Sequence, residues 1–324
     1  VPSDPLAGRL LGPHLQLKKG FFKAADRAAA IGATCVQVFA DNPTAWRRKP
    51  QPPAKIAEFR ARLQAGGVRR LAVHASYLVN LAAANEEFRE RSIENLANDL
   101  RMGAAYGAHA VNVHIGSHVG QGVEVGTRLV GEGIAEVLRR VPDDGSSPLI
   151  VLENSAGGGG TLGTTIAEVA AILHAASAAG APEARVGICL DTAHLWGSGY
   201  DLSEPSSIDG LVEVVQREIG LDRLAMLHLN DSKAKRGSRH DRHEHIGAGL
   251  IGVRGLSHLL LHPALVPVPT YLETPGMDQG YDAVNLERVR RLIRGEPLEE
   301  LPPEAFAPRT DRTRKRTAPV RAPS

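Results

Sequence analysis

The stretch VGICLDTAH, residues 186–194, opens with apolar, β-favouring residues and closes on Asp191, Thr192 and His194, which a hydrophobic core would not choose. The same change from apolar to polar recurs in LAVHAS (71–76), AVNVHIGSH (110–118), LIVLENS (149–155), LAMLHLND (224–231) and TYLETPG (270–276). With two weaker runs, eight strands are expected, at 9–12, 35–40, 71–76, 110–116, 149–155, 186–194, 224–232 and 270–276. Stretches with apolar residues three and four apart lie between them, such as 87–108 and 164–181, and read as helices. Strands that alternate with helices imply parallel pairing. Eight such units before residue 277 fit a closed (β/α)8 barrel, an α/β fold of the TIM type, better than an open doubly wound sheet. In such a barrel the C-terminal strand ends converge on one face, so these polar ends become neighbours in space.

Composition agrees with a globular chain. At 324 residues, 43% apolar and 23% charged, it can bury a large core as one barrel-type domain or two smaller ones. Cys35 and Cys189 both lie in apolar runs and read as buried thiols of a reducing compartment rather than as a disulfide framework. No window is long and apolar enough for a membrane span, and the start VPSDPLAGRL lacks the pattern of a signal peptide, so no membrane contact and a cytoplasmic location are expected. The net charge of +2 is uneven: residues 301–324 hold six basic and two acidic residues, which leaves the body slightly acidic. The expected organisation is a barrel domain over 1–296 and a basic, Pro/Arg-rich, disordered tail over 297–324.

Collected from the strand ends and from the loop SRHDRHEHIGAG (238–249), the polar side chains are His74, His114, Glu153, Asp191, His194, His228, Asp241, His243 and Glu273. All offer carboxylate oxygen or imidazole nitrogen, and neither cysteine joins them. So many such groups on one face repel one another and lose hydration, and bound divalent metals are the ordinary remedy. A zinc site takes about four ligands and a catalytic one leaves a place for water. Nine protein ligands, some bridging, therefore suit two or three ions and are too many for one. In the loop, Asp241 and His243 are two apart, which on extended chain turns both to one side. That favours His243 as the ligand, with His240 and His245 as supporting or surface groups.

VHASYLVNLA, NVHIGSH, VLENSAGGGGTLG, LDTAHLWGSGYDL, LHLNDSKAKRGSRHDRHEHIGAGLIG and LETPG resemble, in that order, the motifs of the endonuclease IV family of apurinic/apyrimidinic endonucleases. The resemblance runs from about residue 10 to 293 and implies a (β/α)8 barrel with three zinc ions, manganese being an alternative at one site. It implies that His74, His114 and Glu153 hold the first metal. Glu153 would bridge to a second, shared with Asp191, His228 and Glu273, and His194, Asp241 and His243 would hold the third. The implied substrate is double-stranded DNA containing abasic sites, cut on their 5′ side by metal-activated water that Glu153 positions. Products would be a 3′-hydroxyl and a 5′-deoxyribose phosphate, with removal of blocking groups from 3′ ends as a second activity. The family is further expected to act as a monomer in the nucleoid.

Tyr77 and Leu78 match the family pair that wedges into DNA at the lesion. Thr44, in FADNPTAW (39–46), stands where many relatives carry an arginine that reaches into the base stack. GPHLQLKKG (12–20) also departs from the family's usual start, so the loop at Lys18 and Lys19 is expected to meet DNA differently. AGGGGTLG (156–163) lacks the Lys-Ser/Thr of a phosphate-binding P-loop and reads as rim geometry. His118 is expected to support the cluster from behind, and His109, His174, His258 and His262 to be structural or surface groups. The competing reading is a sugar isomerase or epimerase of the xylose-isomerase-like barrels, which needs one or two metals held mostly by acids. The pairs Asp191/His194 and Asp241/His243 speak against it.

Overall fold

The computed structural model describes residues 8–46 and 51–307, and the basic positions from Arg309 to Arg321 lie outside them. Eight parallel strands close a barrel: β1 (Leu11–Leu15), β2 (Cys35–Phe39), β3 (Arg70–His74), β4 (Ala110–His114), β5 (Leu149–Glu153), β6 (Val186–Asp191), β7 (Leu224–His228) and β10 (Thr270–Leu272), with β10 hydrogen-bonded to both β7 and β1. A two-stranded antiparallel pair, β8 (Asp231–Ser232) and β9 (His243–Glu244), rises between β7 and β10. Helices α1 (Phe21–Ala30), α2 (Pro53–Ala65), α3 (Glu86–Tyr106), α4 (Val123–Arg140), α5 (Ile166–Ala178), α6 (Thr192–Ser198), α7 (Pro205–Glu218), α8 (Gly252–Leu261) and α9 (Tyr281–Arg294) fill the connections. Helix α5 falls inside the expected stretch 164–181, and α3 begins one residue before the expected 87–108. Asn85 and Thr165 cap them by accepting from the N–H of Phe88 and of Glu168.

Strand periodicity decides what fills the barrel. One face of the strands, with Val36, Val38, Val73, Val111, Val113, Ile150, Leu152, Ile188 and Leu190, belongs to the large core shared with the helices. The alternate positions Cys35, Ala72, Ala110, Val151, Cys189, Met226 and Tyr271 form a separate buried cluster inside the barrel. Two residues further along each strand, the inward register carries Gln37, His74, Asn112, Glu153, Asp191, His228 and Glu273. An apolar floor thus lies directly beneath a polar layer. Both cysteines are free and buried in that floor, and burial pushes the Cys189 thiol up to about 12.

The first strand departs from expectation, at Leu11–Leu15 instead of 9–12. The strand continues past the expected end at Gly12, through Pro13 and His14. Glycine is required at position 12 because a Cβ would sit 1.6 Å from the Cys35 carbonyl oxygen. The expected start of the tail at 297 is also too early. Pro303–Phe306 forms a turn of helix with Ala305 buried, and Arg288 holds the carbonyl of Glu299, so packing on the barrel continues to Ala305.

His109, just before the start of β4, shows how burial sets pH sensitivity away from the site. Its Nδ1 hydrogen-bonds the Leu71 carbonyl at 2.7 Å, its Nε2 is buried without a partner, and burial lowers its pKa to about 4. Protonation therefore favours the unfolded chain. His109 contributes stability above pH 6.5 that is lost as pH falls towards 4, up to about 3 kcal/mol at 1.36 kcal/mol per unit. The expected result for His109→Gln is a flatter dependence of unfolding free energy on pH between those values, measured by urea titration.

Candidate metal centre

Each candidate ligand is aimed by the place where its strand stops. β3, β4, β5, β6 and β7 end on His74, His114, Glu153, Asp191 and His228, and Glu273 directly follows β10. Parallel register sets His114 beside Glu153 and Asp191 beside His228. Asp191 is also the N-cap of α6, with Oδ1 accepting from the N–H of His194 at 2.8 Å, so one turn of helix delivers His194 to the same mouth. The β8–β9 pair brings in His243, with Ser232 opposite it, and Asp241 stands at the rim, half exposed.

Three groups of potential ligand atoms result, each within 4.8 Å: His74, His114 and Glu153; Glu153, Asp191, His228 and Glu273; and Asp191, His194 and His243. Asp241 lies 2.9 Å from His243 Nε2 and 3.3 Å from His194 Nε2. Glu153, which belongs to two groups, is buried, with Oε2 3.6 Å from His74 and 3.4 Å from His114 and Oε1 3.1 Å from His228. All nine residues expected as ligands therefore meet in one place.

The proton positions test whether this set suits a cation. His74 donates Nδ1–H to the Ala75 carbonyl (2.8 Å), His194 to that of Asn154 (2.9 Å) and His243 to that of Glu273 (2.9 Å). His228 donates Nε2–H to Gln37 Oε1 at 3.0 Å. Each neutral imidazole then turns a bare nitrogen towards carboxylates, lone pair against negative charge, which only a cation between them relieves. His243 Nε2 is buried and makes no hydrogen bond despite the nearby Asp241. The donors are oxygen and imidazole nitrogen with no thiolate, which fits zinc or a similar divalent ion.

Without a metal, protons take its place. Burial opposes charge on His194, but Asp191, Asp241 and Glu153 outweigh it and hold its pKa well above the usual value. The same balance, with Asp191 and Asp241, raises His243 to about 9. Burial would raise Glu153, yet His228, His114 and His194 hold it well below the ordinary carboxylate range.

Several supporting residues escaped the sequence. Gln37 Nε2 donates to Glu273 Oε1 at 2.7 Å, Asn112 Nδ2 to Glu153 Oε2 at 2.5 Å and Asn230 Nδ2 to Asp191 Oδ2 at 2.7 Å. His14 Nδ1 lies 3.1 Å from Glu273 Oε1. His118, expected to support the cluster, does not. Its Nδ1 accepts from the N–H groups of Gly120 and Gly122, both at 3.2 Å. Of the other loop histidines, His240 is exposed, while His245 is a buried anchor between Asn285 (2.8 Å) and the Ala305 carbonyl (2.9 Å). Tyr77 is 59% exposed at the rim, its ring against Phe39 at 5.1 Å and His114 at 6.0 Å, and Leu78 beside it is half-buried. Thr44 is exposed, with its hydroxyl on Asn42 Oδ1. A groove of about 600 Å³, lined by Tyr77, His114, Glu153, His194, Arg239 and Asp241, runs along the ligands.

Residues 25–295 match the family described as xylose isomerase-like TIM barrel. The chain is 36% identical over 281 residues to a protein of Halothermothrix orenii named probable endonuclease 4, covering 86% of this chain and 99% of that one. The solved endonuclease IV of Thermus thermophilus superposes with a TM-score of 0.76 at 37% identity, over 89% of this chain and 99% of that one. A D-tagatose 3-epimerase-like protein superposes at 0.63 over 88% and 97% of the two chains, but at 18% identity, which speaks to fold alone. With that identity sustained over nearly the whole barrel, the chain belongs to the endonuclease 4 family.

Proposed function

We propose that the protein is a metal-dependent DNA repair endonuclease that hydrolyses the phosphodiester on the 5′ side of an abasic site. The reading includes three zinc ions per chain, a 3′-hydroxyl and a 5′-deoxyribose phosphate as products, and removal of blocking groups from 3′ ends. It also has the enzyme acting as a monomer on nucleoid DNA in the cytoplasm. Among the described residues no helix is long and apolar enough to cross a membrane. One observation carries the reading: three adjoining ligand groups that share Glu153 and Asp191 open through His114, Glu153 and His194 onto one groove whose rim bears an exposed tyrosine. A phosphodiester places several oxygens and a departing alkoxide side by side, which suits adjoining cation sites better than the one or two of a sugar epimerase.

Divalent ions held there would lower the pKa of a water, neutralise the non-bridging oxygens and stabilise the departing 3′-oxygen. The chain's own residues do the rest. Glu153 is fixed by Asn112 and by the imidazoles around it, so its carboxylate sits at the junction of two ligand groups without rearrangement. Backbone carbonyls hold the tautomers of His74, His194 and His243, keeping Nε2 free for a cation. The serine hydroxyls that line the groove are engaged elsewhere, Ser117 with the Gly159 and Gly160 carbonyls and Ser155 with Thr161, which favours direct attack by water. The deciding experiment is elemental analysis together with cleavage of a duplex carrying one abasic analogue. A single bound metal, uncut abasic DNA and epimerisation of a ketose would overturn the reading.

Tyr77 and Leu78 are proposed to enter the duplex at the lesion, and Thr44 to lack the contact that an arginine makes in relatives. Stacking of a base on an aromatic ring contributes about 1–3 kcal/mol, so Tyr77→Ala is expected to weaken binding to abasic duplex at least fivefold. Thr44→Ala is expected to change little and Thr44→Arg to tighten binding, all read by fluorescence anisotropy. A Tyr77→Ala variant that binds as wild type does would reduce the ring to packing on Phe39.

A further inference from the structure

Of the nine candidate ligands, Asp241 and His243 stand on the loop that joins β8 to α8, outside the barrel wall. The loop's regular structure is a pair of two-residue strands, and a hairpin that short does not hold its geometry unaided. Its support lies two residues beyond His243. Asn285 Oδ1 accepts from the Ile246 N–H at 2.9 Å, and Asn285 Nδ2 donates to the Tyr281 carbonyl at 2.8 Å, so the backbone fixes which way the amide points. Nδ2 also donates to His245 Nδ1 at 2.8 Å, and neutral His245 therefore carries its proton on Nε2. That N–H is given to the Ala305 carbonyl at 2.9 Å.

The next two residues meet the same C-terminal segment. Arg288 donates Nε–H to the Ile246 carbonyl and Nη1–H to the Glu299 carbonyl, both at 2.6 Å, so one guanidinium ties the loop to residue 299. Gly247, at φ 71°, lies so close to Leu298 that a Cβ would meet its Cδ1 at 2.5 Å. His245, Asn285 and Ala305 are fully buried. Three successive loop residues are thus held, directly or through one side chain, by residues 298–305, which follow position 295, where the match to the family ends.

We infer that residues 298–306 are a strap that positions the third ligand group, holding His243 and Asp241 beside Asp191 and His194. The inference rests on the metal-dependent reading above. When an ion binds to a loose loop, ordering the loop subtracts from its affinity, whereas a loop ordered beforehand leaves that affinity whole. The other two groups sit on strand ends of the barrel and do not depend on the strap.

The test compares full-length wild type with Ala305→Glu and Leu298→Glu, which lift the strap at its two ends without touching a ligand. In the metal-free proteins, amide hydrogen exchange over residues 243–248 is expected to be about tenfold faster in each variant, with the barrel strands unchanged. Loaded with zinc and titrated with a chelator, each variant is expected to release one ion at roughly a tenth of the chelator concentration that wild type requires, and the rest as wild type does. Cleavage of an abasic duplex falls accordingly and is restored by excess zinc, at an unchanged KM for DNA. Coupling acts in both directions, so zinc should slow exchange of the Ala305 amide in wild type. If either glutamate unfolds the barrel, Arg288→Met reads the same link from the loop side.

Wild-type exchange over 243–248 in the variants would overturn the inference. So would loss of all ions together with a lowered melting temperature, which would make the strap a support of the whole barrel, or a cleavage defect that zinc does not restore. Failure of the underlying reading looks different: wild type would then hold a single ion and leave abasic DNA uncut, while exchange in the metal-free variants still reported the strap.

Discussion

His243→Ala is expected to leave the barrel folded, to keep the other two metal groups largely filled and to lower cleavage of an abasic duplex by several powers of ten. His243 sits on the β8–β9 pair outside the barrel wall and donates only to the Glu273 carbonyl, so its loss leaves the barrel register untouched. It does remove one of two imidazoles from the group formed with Asp191 and His194. A metal that stabilises the departing oxygen contributes several kcal/mol, and each 1.36 kcal/mol is tenfold in rate. Glu153→Gln is expected to do worse, because its carboxylate belongs to two groups and is the negative charge around which His74, His114, His194 and His228 converge. Elemental analysis, circular dichroism and single-turnover cleavage separate the outcomes. A His243→Ala protein that retains every metal and cuts at the wild-type rate would remove the third group from the mechanism.

The candidate ligands could be collected from the sequence because the barrel repeats one strand design. A short apolar strand ending in a donor is visible wherever it occurs, and parallel topology brings the ends together whatever their separation in sequence. Residues that hold the ligands carry no such mark. Gln37 and Asn112 occupy the inward register, two residues after Cys35 and Ala110, yet an amide inside a strand reads as an ordinary polar residue until its partner is known. His14 was missed because the first strand was expected to stop at Gly12, whereas it runs on to Leu15, with glycine at 12 demanded by the close approach of the Cys35 carbonyl. The choice of His243 over His240 and His245 followed from strand alternation with Asp241. The anchoring of His245 on Asn285 and Ala305 could not be read, since it depends on where residues 302–306 return to the barrel.

Removing the metals is expected to cost the protein more stability at high pH than at neutral pH. In the metal-free chain His243 has a pKa of about 9 against 6.5 for the free side chain, and His194 and His228 are raised as well. A raised folded-state value means that protonation favours the fold. The contribution is fully present below pH 6.5 and is lost as pH rises through about 9, roughly 3 kcal/mol from His243 alone. Rising pH therefore strips the protons that keep the carboxylates apart from bare imidazole nitrogens. Metal binding has the opposite dependence, since a metal displaces those protons and gains affinity as they leave. A metal at a thousandfold its dissociation constant stabilises by about 4 kcal/mol per site. The gap in melting temperature between zinc-loaded and chelator-treated protein should thus widen steadily from pH 6.5 to 9, and in His243→Ala it should widen less. A gap independent of pH would mean that the imidazoles are not held by the cations that replace their protons.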